Sequence, residues 1–192
     1  MTALPVLPGR LLTVGDYAAL PEDDQYRWEL LEGNLVMSPR PTPRHNLAMG
    51  NLYEQLKHQL PFEVLTIQDV DVDLQLAPPD GPGTVRQPDV VVVDRAEYDR
   101  VDAEGGILRA AGVRLVVEIV SPGSTRTDRI IKHAEYADAG IAHYWILDLE
   151  TPISLVAHRL SGELGYVADA EATGTFTTAE PYPLTIALDQ LL

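Results

Sequence analysis

Two carboxylates stand where carboxylates are expensive. Glu118 sits inside "LVVEIV", a run of Leu, Val and Ile that reads as a buried strand, and Asp89 heads four consecutive valines in "PDVVVV". Side chains alternate along a strand, so Glu118 shares a face with Val116 and Val120 and is not the wet side of an amphipathic strand. A carboxylate in apolar surroundings must be protonated, paired or bound to a metal. Two of them at the mouths of adjacent buried strands repel unless a cation lies between them. A divalent ion with oxygen ligands meets that need. With no Cys and no closely spaced His pair, Mg²⁺ or Mn²⁺ is favoured over Zn²⁺. A competing reading has Asp89 capping a turn after Pro88 and Glu118 paired with a buried Arg86 or Arg114. Spacing alone does not separate the two.

Lys132 falls on the helix expected after the Glu118 strand. Asp128, Lys132 and Tyr136 follow at i, i+4 and i+8, so they form one stripe. Ile130, Ile131, Ala134 and Ala137 form another, apolar face. The plain alternative for Asp128 and Lys132 is an exposed helical ion pair worth a few tenths of a kcal/mol.

The elements that must position these groups read as follows. "TVGDYAAL" carries Asp16 three positions after Thr13, a capping box in its weaker Asp form, and predicts a short helix. "YRWELLEGNLVMSP" predicts a hairpin turning at Gly33-Asn34. Leu47, Leu52, Leu56 and Leu60 recur at near-helical spacing and predict an amphipathic helix over His45–Gln59. Alternation from Asp69 to Leu76 predicts a strand with one wet face. "QPDVVVVD" and "VRLVVEIVSP" predict buried strands, and "RAEYDRVDAEGGILRAAG" a polar connection between them. "RTDRIIKHAEYADAG" predicts a helix with Thr127 as N-cap and Gly140 as terminator. "AHYWILD" predicts another strand, and "PISLVAHRLSGELGYV" a hairpin around Ser161-Gly162. A mixed sheet with helices on its faces is the natural packing.

The chain of 192 residues is 45% hydrophobic, enough for one domain with a real core over residues 1–192. The absence of cysteine excludes disulfides, iron–sulfur clusters and thiolate zinc sites. No apolar run reaches membrane-span length, and the N-terminus shows no secretory pattern, so the cytoplasm is the expected location and no membrane contact is expected. The formal net charge is −15, from 14 Lys plus Arg against 29 Asp plus Glu. A field of that sign repels phosphate backbones, so handling nucleic acid requires a local basic patch, a bound cation or a partner.

"QPDVVVV", "LVVEIVSPGSTRTDRIIKHAEYADAGIAHYWILD" and "YRWELLEGNLVMSPRPTPRHN" together resemble a large bacterial restriction-endonuclease-like family within the PD-(D/E)XK nuclease superfamily. The resemblance spans Leu12 to Val167. It implies an α/β, three-layer core over about 45–150, a central four-stranded mixed sheet between helices, with an N-terminal hairpin extension over about 12–40 and a C-terminal hairpin. It implies a divalent ion, Mg²⁺ or Mn²⁺, held by Asp89, Glu118 and the backbone carbonyl of Val120. The superfamily places a lysine where Val120 stands. The resemblance assigns that role to Lys132 on the next helix. It also implies supporting roles for Glu32, with Glu29 as its competitor, and for His45, Gln87, Ser121 and Tyr136.

The implied reaction is hydrolysis of a nucleic-acid phosphodiester, with DNA favoured over RNA. The ion polarises phosphoryl oxygens and lowers the pKa of the attacking water, and Lys132 stabilises developing charge or orients that water. Arg40, Arg44, Arg126 and Arg129 are the candidate phosphate contacts. A homodimer is expected, paired through the apolar segment "ISLVAHRL". The alternative function is a catalytically degenerate nuclease fold acting as a binding or structural protein, which the acidic balance and Val120 favour. A glycosidase pair of carboxylates is a third reading, but the two Trp residues do not line a sugar cleft.

Overall fold

A computed structural model describes residues 9–21, 27–38, 41–121 and 126–192. The helices are α1 (Val14–Ala18), α2 (Pro43–Lys57), α3 (Arg95–Glu104) and α4 (His133–Asp138), the last preceded by π-helical turns over Thr127–Lys132. The strands are β1 (Arg27–Leu31), β2 (Asn34–Ser38), β3 (Val64–Gln68), β4 (Val72–Asp73), β5 (Val85–Arg86), β6 (Val90–Asp94), β7 (Leu108–Arg109), β8 (Val113–Val120), β9 (His143–Asp148), β10 (Ser154–Leu160), β11 (Tyr166–Ala168), β12 (Ala172–Thr173), β13 (Thr175–Thr178) and β14 (Leu184–Ala187).

The larger sheet runs β11-β10-β9-β8-β6-β3, with β12 also on β10. At its centre β3, β6 and β8 pair antiparallel while β8 and β9 pair parallel, which makes it mixed. Near-continuous apolar sequence in β6, β8 and β9 follows from burial on both faces. On one face Ala48, Met49, Leu52 and Leu56 of α2 pack on Val90, Val92, Leu115, Val117, Trp145 and Leu147. On the other, Tyr136 of α4 packs among Val91, Val93, Val116, Tyr144 and Ile146. This is the expected three-layer α/β arrangement.

The N-terminal hairpin is not an appendage. β1 and β2 belong to a second sheet, ordered β2-β1-β5-β4-β7, which draws on the stretches before and after β6. Its turn is Glu32-Gly33 rather than Gly33-Asn34. Both residues have positive φ, 47° and 77°, the mirror-image turn that matches strand twist. The strand expected over Asp69–Leu76 is broken. Asp69 and Gln75 adopt φ of 50° and 55°, and only Val72–Asp73 pairs, carrying the chain from the larger sheet to the smaller one. The stretch read as a polar connection contains α3, whose buried acidic residue is Glu97. α2 begins at Pro43 with Thr42 as N-cap, and Leu47 is exposed because the buried stripe runs through Ala48, Met49, Leu52 and Leu56.

The helix after β8 reverses the expected sidedness. Asp128, Lys132 and Tyr136 are buried, whereas Ile130 is 61% exposed and Ile131 40%. Thr127 lies inside the π-helical turns, with Arg126 at the cap position and no side-chain cap bond. Gly140 follows the helix with φ of 75°, as its terminating role requires. β10 is flanked on both sides by β9 and by β11 with β12, so "ISLVAHRL" offers no free edge.

Candidate active site

β6 and β8 pair with Val90 opposite Val117, and that register brings Asp89, the residue before β6, beside Glu118. Asp89 Oδ2 accepts a hydrogen bond from the Ile119 backbone N–H at 2.7 Å. His45, in the first turn of α2, places Nε2 at 3.1 Å from the same oxygen and 3.2 Å from the Ile119 carbonyl. Both partners are acceptors, so Nε2 carries the proton. Burial lowers the His45 pKa, but the bond and charge of Asp89 outweigh it and leave the pKa raised.

Glu118 Oε1 accepts from Lys132 Nζ at 2.8 Å and from the Tyr136 hydroxyl at 2.6 Å. The ammonium also lies 3.6 Å from Glu29 Oε1 and 3.7 Å from Asp128 Oδ1. Three carboxylates thus surround one buried lysine. Their field outweighs desolvation and holds Lys132 firmly protonated. Burial pushes the Glu118 pKa up against the pull of Lys132, and the charges of Asp89 and Asp128 add to the rise. The buried Asp128–Lys132–Tyr136 stripe is therefore an ion-pair seam, not the exposed pair that helical spacing also allowed.

A second buried cation ties this seam to the smaller sheet. Arg86 donates from NH1 to Glu29 Oε2 at 2.9 Å, and from Nε and NH2 to the two Glu135 oxygens at 2.7 Å each. Glu29 Oε1 also accepts the Gln87 N–H at 3.1 Å. Burial raises the Glu29 pKa, yet Lys132 and Arg86 together bring it below the usual range. Neither arginine considered as a partner for Glu118 plays that part: Arg86 serves Glu29 and Glu135, and Arg114 pairs with Asp94 at the sheet's other end.

Of the acidic residues in the early hairpin, Glu29 reaches the site. Glu32 is an exposed turn residue whose backbone N–H meets Thr84 Oγ1, far from this role. The correction follows from the turn: a residue at its tip points away from the sheet. Gln87 joins Arg27 and Asp69 at the margin of the site, with Gln87 Oε1 accepting from Arg27 Nε at 2.6 Å. Val120 ends β8 opposite Asp148, and Ser121 follows it, part-buried. Arg44 donates to the Leu149 carbonyl at 2.8 Å and Arg129 to Asp148 at 3.1 Å, so both flank the carboxyl ends of β8 and β9. Arg126 is exposed. Arg40 lies outside the described residues.

Sequence reasoning missed Arg27, Asp69 and Glu135. The available signal for Glu135 was its place three residues after Lys132 on the same helix, next to a residue already singled out. Arg27 offered only its place two residues before Glu29, which puts both on one face of β1.

The donor set can be tested against a divalent ion. Among the described residues, Glu118 Oε2 and Asp89 Oδ1 accept no hydrogen bond, so each carboxylate has one oxygen engaged by protein and one uncommitted. Among those residues, no group of three or more His, Asp or Glu forms a ready-made metal cage. Two carboxylates and a backbone carbonyl suit Mg²⁺, which keeps several of its waters. They do not suit a closed zinc site.

The crystal structure of a "putative nuclease belonging to DUF820" from Anabaena variabilis superposes with a TM-score of 0.68 at 15% identity, covering 94% of this chain and 97% of that one. The two share a nuclease-like mixed α/β fold. The model of the Uma2 family, described as "Putative restriction endonuclease", matches residues 14–185, and the chain belongs to that family. No curated protein matches the chain. Among the described residues no helix is long and apolar enough to cross a membrane.

Proposed function

We infer that this protein is a divalent-metal-dependent endonuclease that hydrolyses phosphodiester bonds, with DNA as its substrate. The observation that carries the reading is the pairing of Asp89 with Glu118, each keeping one carboxylate oxygen out of the protein's hydrogen bonds. Family membership and the shared fold support the same class of reaction.

Asp89 Oδ1, Glu118 Oε2 and the Val120 carbonyl would hold Mg²⁺ or Mn²⁺. When bound, such an ion supplies Lewis-acid polarisation of the phosphoryl group and a more acidic water. The chain's own groups set the geometry. His45 and the Ile119 N–H fix Asp89, while Lys132 and Tyr136 fix Glu118. Lys132 keeps its proton throughout, so it acts as a charge that orients water or stabilises the phosphorane-like transition state, and not as a base. Water oxygen bonds to phosphorus as the phosphorus–oxygen bond to the leaving nucleotide breaks; the attacking water gives its proton to bulk water, and the leaving oxygen takes one from it. Arg44, Arg126 and Arg129 contact flanking phosphates.

The test is incubation of the purified chain with double-stranded DNA, single-stranded DNA and RNA, in Mg²⁺, Mn²⁺ or EDTA. Cleavage of DNA that EDTA abolishes and that Asp89→Asn loses supports the reading. Full activity in EDTA, or in Asp89→Asn, ends it.

The chain pairs as a homodimer in this reading. Since β10 is interior, the edge on offer is β11, beside exposed Leu164 and Val167. Sedimentation equilibrium showing only monomer at high concentration removes this part.

A further inference from the structure

We propose that Arg27 is a catalytic residue of this site, contacting the phosphate under attack. The inference rests on the endonuclease reading above and adds a group from the smaller sheet to the machinery.

The cations near the site differ in where they direct their N–H groups. Lys132 sits among Glu29, Glu118 and Asp128. Arg86 is engaged by Glu29 and Glu135. Both side chains are directed at buried carboxylates and are only 10% and 3% exposed, so neither is turned toward solvent to meet an incoming phosphate. Arg27 differs. Its Nε donates to Gln87 Oε1 at 2.6 Å, and its NH2 donates to the Gln87 carbonyl at 3.1 Å and pairs with Asp69 Oδ1 at 2.7 Å. NH1 has no hydrogen-bond partner among the described residues. It lies 4.0 Å from Asp89 Oδ1, the oxygen of Asp89 that is also uncommitted. At 19% exposure, the Arg27 side chain is held firmly yet still reaches solvent.

The groups holding Arg27 are themselves fixed. Gln87 Nε2 donates to the Asp69 carbonyl at 3.3 Å, so one amide grips both partners of the ion pair. The Asp69 N–H donates to the Asp89 carbonyl at 3.2 Å. Asp69 takes φ of 50°, an unfavourable conformation for a residue with a side chain, and these contacts hold it there. A guanidinium fixed on two sides, with its third nitrogen aimed beside a metal-binding carboxylate, is built to meet a phosphoryl oxygen. The planar fork suits that task better than an ammonium. It also places a positive group at the site of a chain whose formal charge is −15.

The experiment compares wild type with Arg27→Ala, Arg27→Lys and Gln87→Ala, using two readouts. Cleavage of duplex DNA is followed in Mg²⁺, with and without added guanidinium ion. Affinity for a fluorescein-labelled duplex is followed by anisotropy with Ca²⁺ replacing Mg²⁺. Arg27→Ala is expected to lose about a hundred- to a thousand-fold in kcat, the range for one electrostatic stabiliser. Guanidinium restores part of that loss, and does not restore Asp89→Asn. Arg27→Lys stays impaired because an ammonium cannot keep both Gln87 contacts. Gln87→Ala loses part of the rate by releasing Arg27. Duplex affinity falls in Arg27→Ala. If wild type cleaves and Arg27→Ala matches it, or guanidinium restores nothing, Arg27 is a structural ion pair and the inference is wrong. If wild type cleaves no nucleic acid, the endonuclease reading fails first. Unchanged duplex affinity in Arg27→Ala then overturns the Arg27 contact as well.

Discussion

Lys132 Nζ lies 2.8 Å from Glu118 Oε1, joining a helix and a strand whose two charges are each almost fully buried. Alone, either would be among the costliest groups in the core. Together, and with Glu29 and Asp128 beside them, they form a unit that can be disturbed in only a few ways without collapse.

Removing the ammonium should show this. Lys132→Met leaves Glu29, Glu118 and Asp128 without their shared cation and is expected to cost about 3–5 kcal/mol of stability. Adding Glu118→Gln to that variant should recover a substantial part, because the two changes are coupled through one contact. Urea denaturation of the four members of the cycle measures the coupling. Additive losses would mean that the two groups do not depend on each other. The same cycle separates a loss of cleavage in the lysine variant from a loss of fold.

Metal addition should stabilise the folded chain. Raising Mg²⁺ or Mn²⁺ to a hundred times its dissociation constant should add about 2.7 kcal/mol, visible as a rise in Tm. Asp89→Asn keeps the side-chain volume and an acceptor for the Ile119 N–H, and should abolish the rise. Chelation with EDTA should return wild type to its metal-free Tm. A Tm indifferent to both ions would count against the proposed ligand set.

Tyr136→Phe retains the ring that meets Tyr144 edge-on at 5.1 Å between centroids. It removes only the hydroxyl that donates to Glu118 Oε1 at 2.6 Å. Hydrogen bonds to charged groups contribute about 1.5–3 kcal/mol, and this one lies between two buried residues. The expected loss is in that range, read by urea denaturation, with the far-UV circular dichroism unchanged.

Glu97 gives a pH signature away from the site. Burial raises its pKa, but hydrogen bonds from Arg100 and Arg109 prevail and bring it down to about 2. A carboxyl whose folded pKa is depressed binds protons more readily when unfolded. Its contribution is therefore present above the unfolded value, near 4.5, and is lost as pH falls toward about 2. After discounting for the solvent-exposed arginines, the contribution is about 1–2 kcal/mol. Glu97→Gln should be less stable than wild type by that amount at pH 7, and the gap should close between pH 4.5 and 2. A gap independent of pH would assign the effect to packing alone. Gly112→Ala tests the same corner sterically. A Cβ there would come within 2.6 Å of Glu97 Cβ and Cγ, and an immobilised neighbour makes that an overpacking cost of about 1–3 kcal/mol.

The central sheet was legible because β6, β8 and β9 are apolar on both faces, which leaves few other places for them to go. The nearness of Asp89 and Glu118 followed from two charges lodged in adjacent buried strands. The orientation of the helix after β8 was not legible. Apolar residues are usually taken to face inward, yet here Ile130 faces solvent and Lys132 faces the core, because waiting carboxylates outweigh the burial of an isoleucine. α3 escaped notice since its inward face is a salt-bridged glutamate and offers no apolar stripe. Arg27, Asp69 and Glu135 escaped because their partners come from distant segments, and local spacing carries no record of such pairs. The smaller sheet was hidden for the same reason, its two-residue strands being too short to leave an alternation.

Glu29 belongs to a hairpin near the beginning of the chain, while the cations that neutralise it, Arg86 and Lys132, come later. Synthesis therefore delivers Glu29 before either cation. A ribosome-bound chain that has displayed β1 and β8 but not the π-helical turn can pair Glu29 with Arg86, yet carries Glu118 with neither the ammonium nor the hydroxyl that receives it. The seam can be completed only once the segment through Tyr136 has cleared the exit tunnel.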